Sequence, residues 1–96
     1  EGAVIENSVI RGPSIIGKNT KIVNSYVGPF TSINRECVIF ESEIEHSIIL
    51  EGSKISGIHN RISDSLIGRN VEIMGNQRRL KHHQFVVGDN SRIELI

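Results

Sequence analysis

The run Ile39-Phe40-Glu41-Ser42-Glu43-Ile44-Glu45-His46-Ser47-Ile48-Ile49 places an isoleucine at 39, 44 and 49, five residues apart each time. Upstream steps of five or six reach Ile33, Val27, Ile22, Ile16, Ile10 and Ile5. Downstream, a step of six reaches Ile55, one of seven reaches Ile62, and Ile67 and Ile73 follow. All 13 of these anchors are Ile or Val. Steps of five and six do not hold one face of a 3.6-residue helix. A larger period lies above them. Ile5, Ile22 and Ile39 are 17 apart, and four turns of 17, 17, 16 and 18 residues span Ile5 to Ile73. The wording repeats too: Ile5-Glu6-Asn7-Ser8-Val9-Ile10 parallels Ile22-Val23-Asn24-Ser25-Tyr26-Val27 and Ile62-Ser63-Asp64-Ser65-Leu66-Ile67.

A fixed period with three short steps per turn describes a triangular solenoid, each turn one unit that buries its apolar side only against its neighbours. Each anchor points inward from a short strand and its neighbours point outward. Corners need tight turns, which Gly17-Lys18-Asn19, Gly28-Pro29 and Gly68-Arg69-Asn70 supply. Slender residues at Ser14, Thr20, Thr31, Cys37, Ser53 and Val71 fit the corner interiors. Composition agrees. Ile occurs 17 times and Val 8 times, against 4 Leu and 1 Ala, which favours strands over helices. With 3 Phe, 1 Tyr and no Trp, the interior must be thin and aliphatic.

The 96 residues make one domain or part of one. Lys+Arg and Asp+Glu each total 11, so no basic excess points to nucleic acid or a membrane surface. No apolar run within the 96 residues approaches the roughly 20 residues that cross a bilayer, and the expectation from these residues is a chain without a secretory signal. A single cysteine, Cys37, excludes an internal disulfide framework.

Ile16-Gly17-Lys18-Asn19-Thr20-Lys21 and Val87-Gly88-Asp89-Asn90-Ser91-Arg92 resemble the hexapeptide-repeat pattern. That resemblance implies an all-β fold, a single-stranded left-handed parallel β-helix with about four regular coils and a C-terminal partial coil. The coils would occupy 1–73, a basic loop 74–84, and a capping strand or partial coil 85–96. A closer resemblance rests on Ile5 to Gly17, on Arg61-Ile62-Ser63-Asp64-Ser65-Leu66-Ile67-Gly68, and on Phe85-Val86-Val87-Gly88-Asp89-Asn90-Ser91. These stretches are similar to the C-terminal domain of long-form glucose-1-phosphate thymidylyltransferases and related sugar-1-phosphate nucleotidyltransferases. In that family an N-terminal domain joins glucose 1-phosphate to dTTP with Mg²⁺. Its Gly-rich basic loop does not occur in these 96 residues, and the chain opens inside a repeat at Glu1-Gly2-Ala3-Val4. The expectation is a C-terminal portion without the catalytic domain, with no cofactor of its own, and a cytoplasmic location.

Candidate site residues follow from this reading. If the chain were a hexapeptide acyltransferase using acetyl-CoA, His59 would be the general-base candidate, because it lies in the seven-residue step, and Arg78 or Lys81 would be phosphate contacts. His46 replaces Asn in its repeat and reads as a turn residue. The spacing of His46 and His59 does not suit a metal site of the carbonic anhydrase kind. The basic run Arg78-Arg79-Leu80-Lys81-His82-His83 reads as a solvated connection, Phe30 as corner packing, and Cys37 as a buried, inert thiol. Strand alternation places Ile15, Ser32, Ile48 and Leu66 outside the third face, with Leu50 nearby. An exposed aliphatic row is costly and marks a partner surface. Ile15, Ile48, Leu50 and Leu66 are therefore the interface candidates, facing another copy or the N-terminal catalytic domain. The row Val4, Lys21, Val38, Lys54, Glu72 on another face reads as solvated.

Overall fold

A computed structural model describes residues 2–58 and 61–75, together with strands at His82–His83, Val86–Val87 and Arg92–Glu94. Sixteen short strands follow one another with no helix among the described residues. The first coil holds β1 (Val4–Glu6), β2 (Val9–Ile10) and β3 (Ser14–Ile16), and the second β4 (Lys21–Val23), β5 (Tyr26–Val27) and β6 (Thr31–Ile33). The third holds β7 (Val38–Phe40), β8 (Glu43–Glu45) and β9 (Ile48–Ile49), and the fourth β10 (Lys54–Ser56), β11 (Arg61–Ser63) and β12 (Leu66–Ile67). Then come β13 (Glu72–Met74), β14 (His82–His83), β15 (Val86–Val87) and β16 (Arg92–Glu94).

Every third strand joins the same sheet. Sheet A runs β1-β4-β7-β10-β13-β16, sheet B β2-β5-β8-β11-β14, and sheet C β3-β6-β9-β12-β15. All pairings are parallel, so the fold is a parallel β-helix of three flat faces. Strand β14 lies within the basic segment and pairs with β11, so that segment ends inside sheet B.

Register places the anchors in three columns. Ile5, Ile22, Ile39, Ile55 and Ile73 lie side by side in sheet A. Ile10, Val27, Ile44 and Ile62 do so in sheet B, and Ile16, Ile33, Ile49 and Ile67 in sheet C. From Ile22 to Ile73 the anchors are 0% exposed. Each contributes roughly 1.5–3 kcal/mol by leaving water. Ile10 and Ile16 are partly buried, and Ile5 is 46% exposed, because the first coil has a stacked neighbour on one side only.

The corners have two chemical requirements. Most corners hold one residue at positive φ, as at Asn7, Asn24 and Glu41 between sheets A and B, and at Asn19, Glu36 and Asn70 between C and A; the first B–C corner instead turns through the cis Gly12-Pro13 peptide. Asn tolerates this region better than other side-chain-bearing residues, so its recurrence is a conformational choice. At Gly17 the reason is space: an added Cβ would strike the backbone of Asn34 and Arg35 in the next coil. The second requirement is a partner for corner amides that the strands leave unpaired. Serines supply it. Ser8 Oγ accepts from the Ser25 amide (3.0 Å), Ser25 Oγ from the Ser42 amide (3.2 Å), and Ser42 Oγ from the Ile58 amide (3.2 Å). Each hydroxyl also donates to the carbonyl two residues back. Ser47 Oγ serves the Ser65 amide in the same way at the B–C corner. No buried side-chain N or O among the described residues lacks a partner.

The seven-residue step interrupts this ladder. Ile58, 1% exposed, occupies the corner that serine fills in the preceding coils, and Gly57 turns into it at φ +70°. The larger side chain ends the hydroxyl column while its amide still closes onto Ser42.

Candidate functional site

The three outer faces differ in chemistry. On sheet B, Tyr26, Glu43 and Arg61 are neighbours across β5, β8 and β11. Arg61 lies 4.7 Å from the Tyr26 ring centre and bonds Glu43 (3.2 Å) and Glu45 (3.0 Å). Partial burial pulls the guanidinium's pKa down, but the Glu43 hydrogen bonds and the Glu45 charge outweigh it and hold the group above its ordinary value. The described face is thus a satisfied ionic patch around one aromatic ring.

Sheet A carries two outward residues per strand. One row is Val4, Lys21, Val38, Lys54, Glu72, and the other is Glu6, Val23, Phe40, Ser56, Met74. The first row mixes Lys21, Lys54 and Glu72 with valines. Phe40, 41% exposed in the second, makes the face more apolar than the first row alone implies.

Sheet C is different. Ile15, Ser32, Ile48 and Leu66 are adjacent in register, as expected from strand alternation, and Val86 follows at the next register position. Ile15 is 68%, Ile48 49% and Leu66 44% exposed, while Leu50, just beyond the row, is half-buried. Ile15, Ser32, Ile48 and Leu66 are all uncharged. The rim is polar at the C–A corner, where Arg35 and Glu51 pair at 3.4 Å. An apolar centre with a charged edge has the composition of a protein contact surface. At the B–C corner, Phe30 and His46 meet edge to face, ring centres 5.3 Å apart.

A shallow groove of about 400 Å³ follows the A–B corner, lined by Asn7, Val9, Asn24, Ser25, Tyr26, Glu41, Ser42, Glu43 and Ile58. Two rungs of the serine ladder, Ser25 and Ser42, are part of its lining. His59 lies outside the described residues, as do Arg78 to Lys81 and the side chains of His82 and His83. His46 has φ +50°, which makes it the left-handed corner residue its Asn-like place in the repeat implies. Phe30 also sits at a corner, at φ +60°, but it is 65% exposed and fills no interior. Cys37 is fully buried. Desolvation raises its pKa above 9.0, against hydrogen bonding from the Ser53 and Gly52 amides. No helix among the described residues is long and apolar enough to cross a membrane.

Sequence reasoning finds the sheet C row but misses Phe40 and the projecting Phe30. The signals exist. A three-residue strand centred on its inward anchor, like those of sheet A, has two outward ends, and a left-handed corner must turn its side chain away from the core.

Fold and faces together define a class: a repeat-built parallel β-solenoid with one exposed, uncharged aliphatic row. The chain is homologous over nearly its whole length to the C-terminal part of nucleotidyltransferases named glucose-1-phosphate thymidylyltransferase. It is 46% identical over 95 residues to the one from Streptomyces griseus and 48% over 95 residues to the one from Streptomyces antibioticus. Each match covers 99% of this chain and 26% of the relative, so the chain spans about a quarter of their length. A low-salt glycan biosynthesis nucleotidyltransferase of Haloferax volcanii is 36% identical over 72 residues, covering 74% of this chain and 20% of that protein. No family model matches the chain.

Proposed function

We propose that this chain is the non-catalytic assembly portion of a glucose-1-phosphate thymidylyltransferase-like enzyme. In such an enzyme a separate domain converts dTTP and glucose 1-phosphate to dTDP-glucose and pyrophosphate with Mg²⁺. The solenoid's task is to hold subunits together. The observation that carries this reading is the sheet C row. Three large aliphatic side chains stand exposed in register on an uncharged face, in a chain whose relatives bear nucleotidyltransferase names. Leaving such a row in water forfeits roughly 25 cal/mol per Å² of apolar area, which a partner surface recovers.

The test is sedimentation velocity of the chain from 10 μM to about 1 mM, with an assay for dTDP-glucose formation alongside. Concentration-dependent assembly without turnover supports the proposal. A chain that stays monomeric throughout removes the assembly role, and turnover by the chain alone removes the non-catalytic one.

A further inference from the structure

We infer that the occupant of the sheet C face is a second copy of this chain, and that Phe30 of each copy seats in the notch at Ser32 of the other. The inference rests on the assembly reading above and adds its geometry. Ser32 is the one small residue in the aliphatic row, flanked in register by Ile15 and Ile48, so the row has a dent at the second coil. Phe30 stands two residues before that dent, at the edge of the same face, 65% exposed and braced edge-on by His46. A knob and a hole this close on one surface are self-complementary. A twofold axis between them brings each knob to the other copy's hole, as an isologous contact requires.

Three observations bear on a like copy. First, the outward positions of sheet C carry no charge among the described residues, so two copies meet there without like-charge repulsion. The corresponding positions of sheets A and B carry Lys21, Lys54, Glu43 and Arg61. Second, the strip alone is small. Strands about 4.8 Å apart and two or three residues long, at about 3.3 Å each, give four coils a flat face of about 130–190 Å². A stable interface buries about 800 Å² per partner. A projecting aromatic knob, its brace and the adjoining corner are needed to enlarge the contact. Third, Phe30 is the only apolar side chain held at positive φ among the described residues. Strain kept at an exposed position calls for a return, and an interface anchor supplies one.

The experiment compares self-association of the unmodified chain with Phe30→Asn, Ser32→Ile and Ile48→Ser by sedimentation equilibrium. Asn suits the left-handed corner, so Phe30→Asn should melt no lower than the parent at a concentration where both are monomeric. Phe30→Asn and Ser32→Ile should each weaken association at least tenfold. Ser32→Ile is the sharper variant, because it completes the aliphatic row yet fills the notch. If Ser32→Ile or Phe30→Asn associates as tightly as the parent while Ile48→Ser weakens it, the knob-and-notch contact is wrong and the sheet C surface stands. If Ile48→Ser also leaves association unchanged, or the unmodified chain does not associate at 1 mM, the assembly reading falls with it.

Discussion

Replacing Ser42 by alanine tests the corner chemistry at a fully enclosed rung. Ser42 is 2% exposed. Its Oγ accepts from the Ile58 amide at 3.2 Å and donates to the Phe40 carbonyl at 2.9 Å. The Phe40 carbonyl also accepts from the Gly57 amide at 3.0 Å, so it keeps a partner in the variant. The Ile58 amide does not, and Ile58 is 1% exposed, so water has poor access to replace the hydroxyl. A buried donor left without an acceptor costs about 1–3 kcal/mol. We expect about 2 kcal/mol, a large share of the roughly 5–14 kcal/mol available to a chain of this length. Ser8 is the internal control. It makes the same two bonds, to the Ser25 amide and the Glu6 carbonyl, but at the open first coil. Water can substitute there, so Ser8→Ala should cost under about 1 kcal/mol. The assay is urea unfolding followed by far-UV circular dichroism, since the chain has no Trp. A Ser42→Ala variant within about 0.5 kcal/mol of the parent, or a Ser8→Ala variant as costly as it, refutes the reasoning.

Other outcomes follow from the same geometry. Ile39→Ala should lose about 2–5 kcal/mol in urea unfolding, whereas Ile5→Ala, the same change in the same column at an exposed end, should lose less than half of that. Glu41→Gly should raise stability by up to about 1 kcal/mol, because Glu41 is held at φ +50° with its side chain exposed; a loss on thermal melting would contradict this. Cys37 should resist iodoacetamide at pH 8 until the chain unfolds. Burial raises its folded-state pKa above the ordinary 9.0, so the unfolded chain gives up the thiol proton first. This contribution is therefore complete below pH 9 and declines as pH rises beyond it. Unfolding midpoints of the chain and of Cys37→Ser across pH 8–10 measure the difference; equal slopes would rule the contribution out.

The anchors were legible because a solenoid repeats its demand for an inward aliphatic residue at every strand, and 17-residue spacing from Ile5 to Ile39 has no helical explanation. The sheet C row was legible for a related reason: strand alternation fixes Ile15, Ile48 and Leu66 outward once Ile16, Ile49 and Ile67 are inward. The corners were only half legible. Asn7, Asn24 and Asn70 announce left-handed backbone by residue type, but Phe30, Glu36 and Glu41 occupy the same conformation with no such preference, so position in the coil decided it. Ser25 and Ser42 look like ordinary turn residues. Their role as rungs depends on an amide one coil away, which only the stacked structure brings within reach. Phe40 escaped because the three-residue strands of sheet A centre on their inward anchor and so turn both ends outward.

Residue-by-residue amide hydrogen exchange tests the stacked-coil account most directly. The Tyr26, Gly28, Ser32 and Asn34 amides each donate to a carbonyl of the third coil at 2.7–2.9 Å. They should exchange slowly, on the scale of global unfolding, with Val4 and Val9 in the open first coil exchanging faster. Tyr26, Gly28, Ser32 and Asn34 exchanging at the rate of an unstructured chain would contradict the coil-to-coil ladder on which both the fold and its exposed aliphatic row depend.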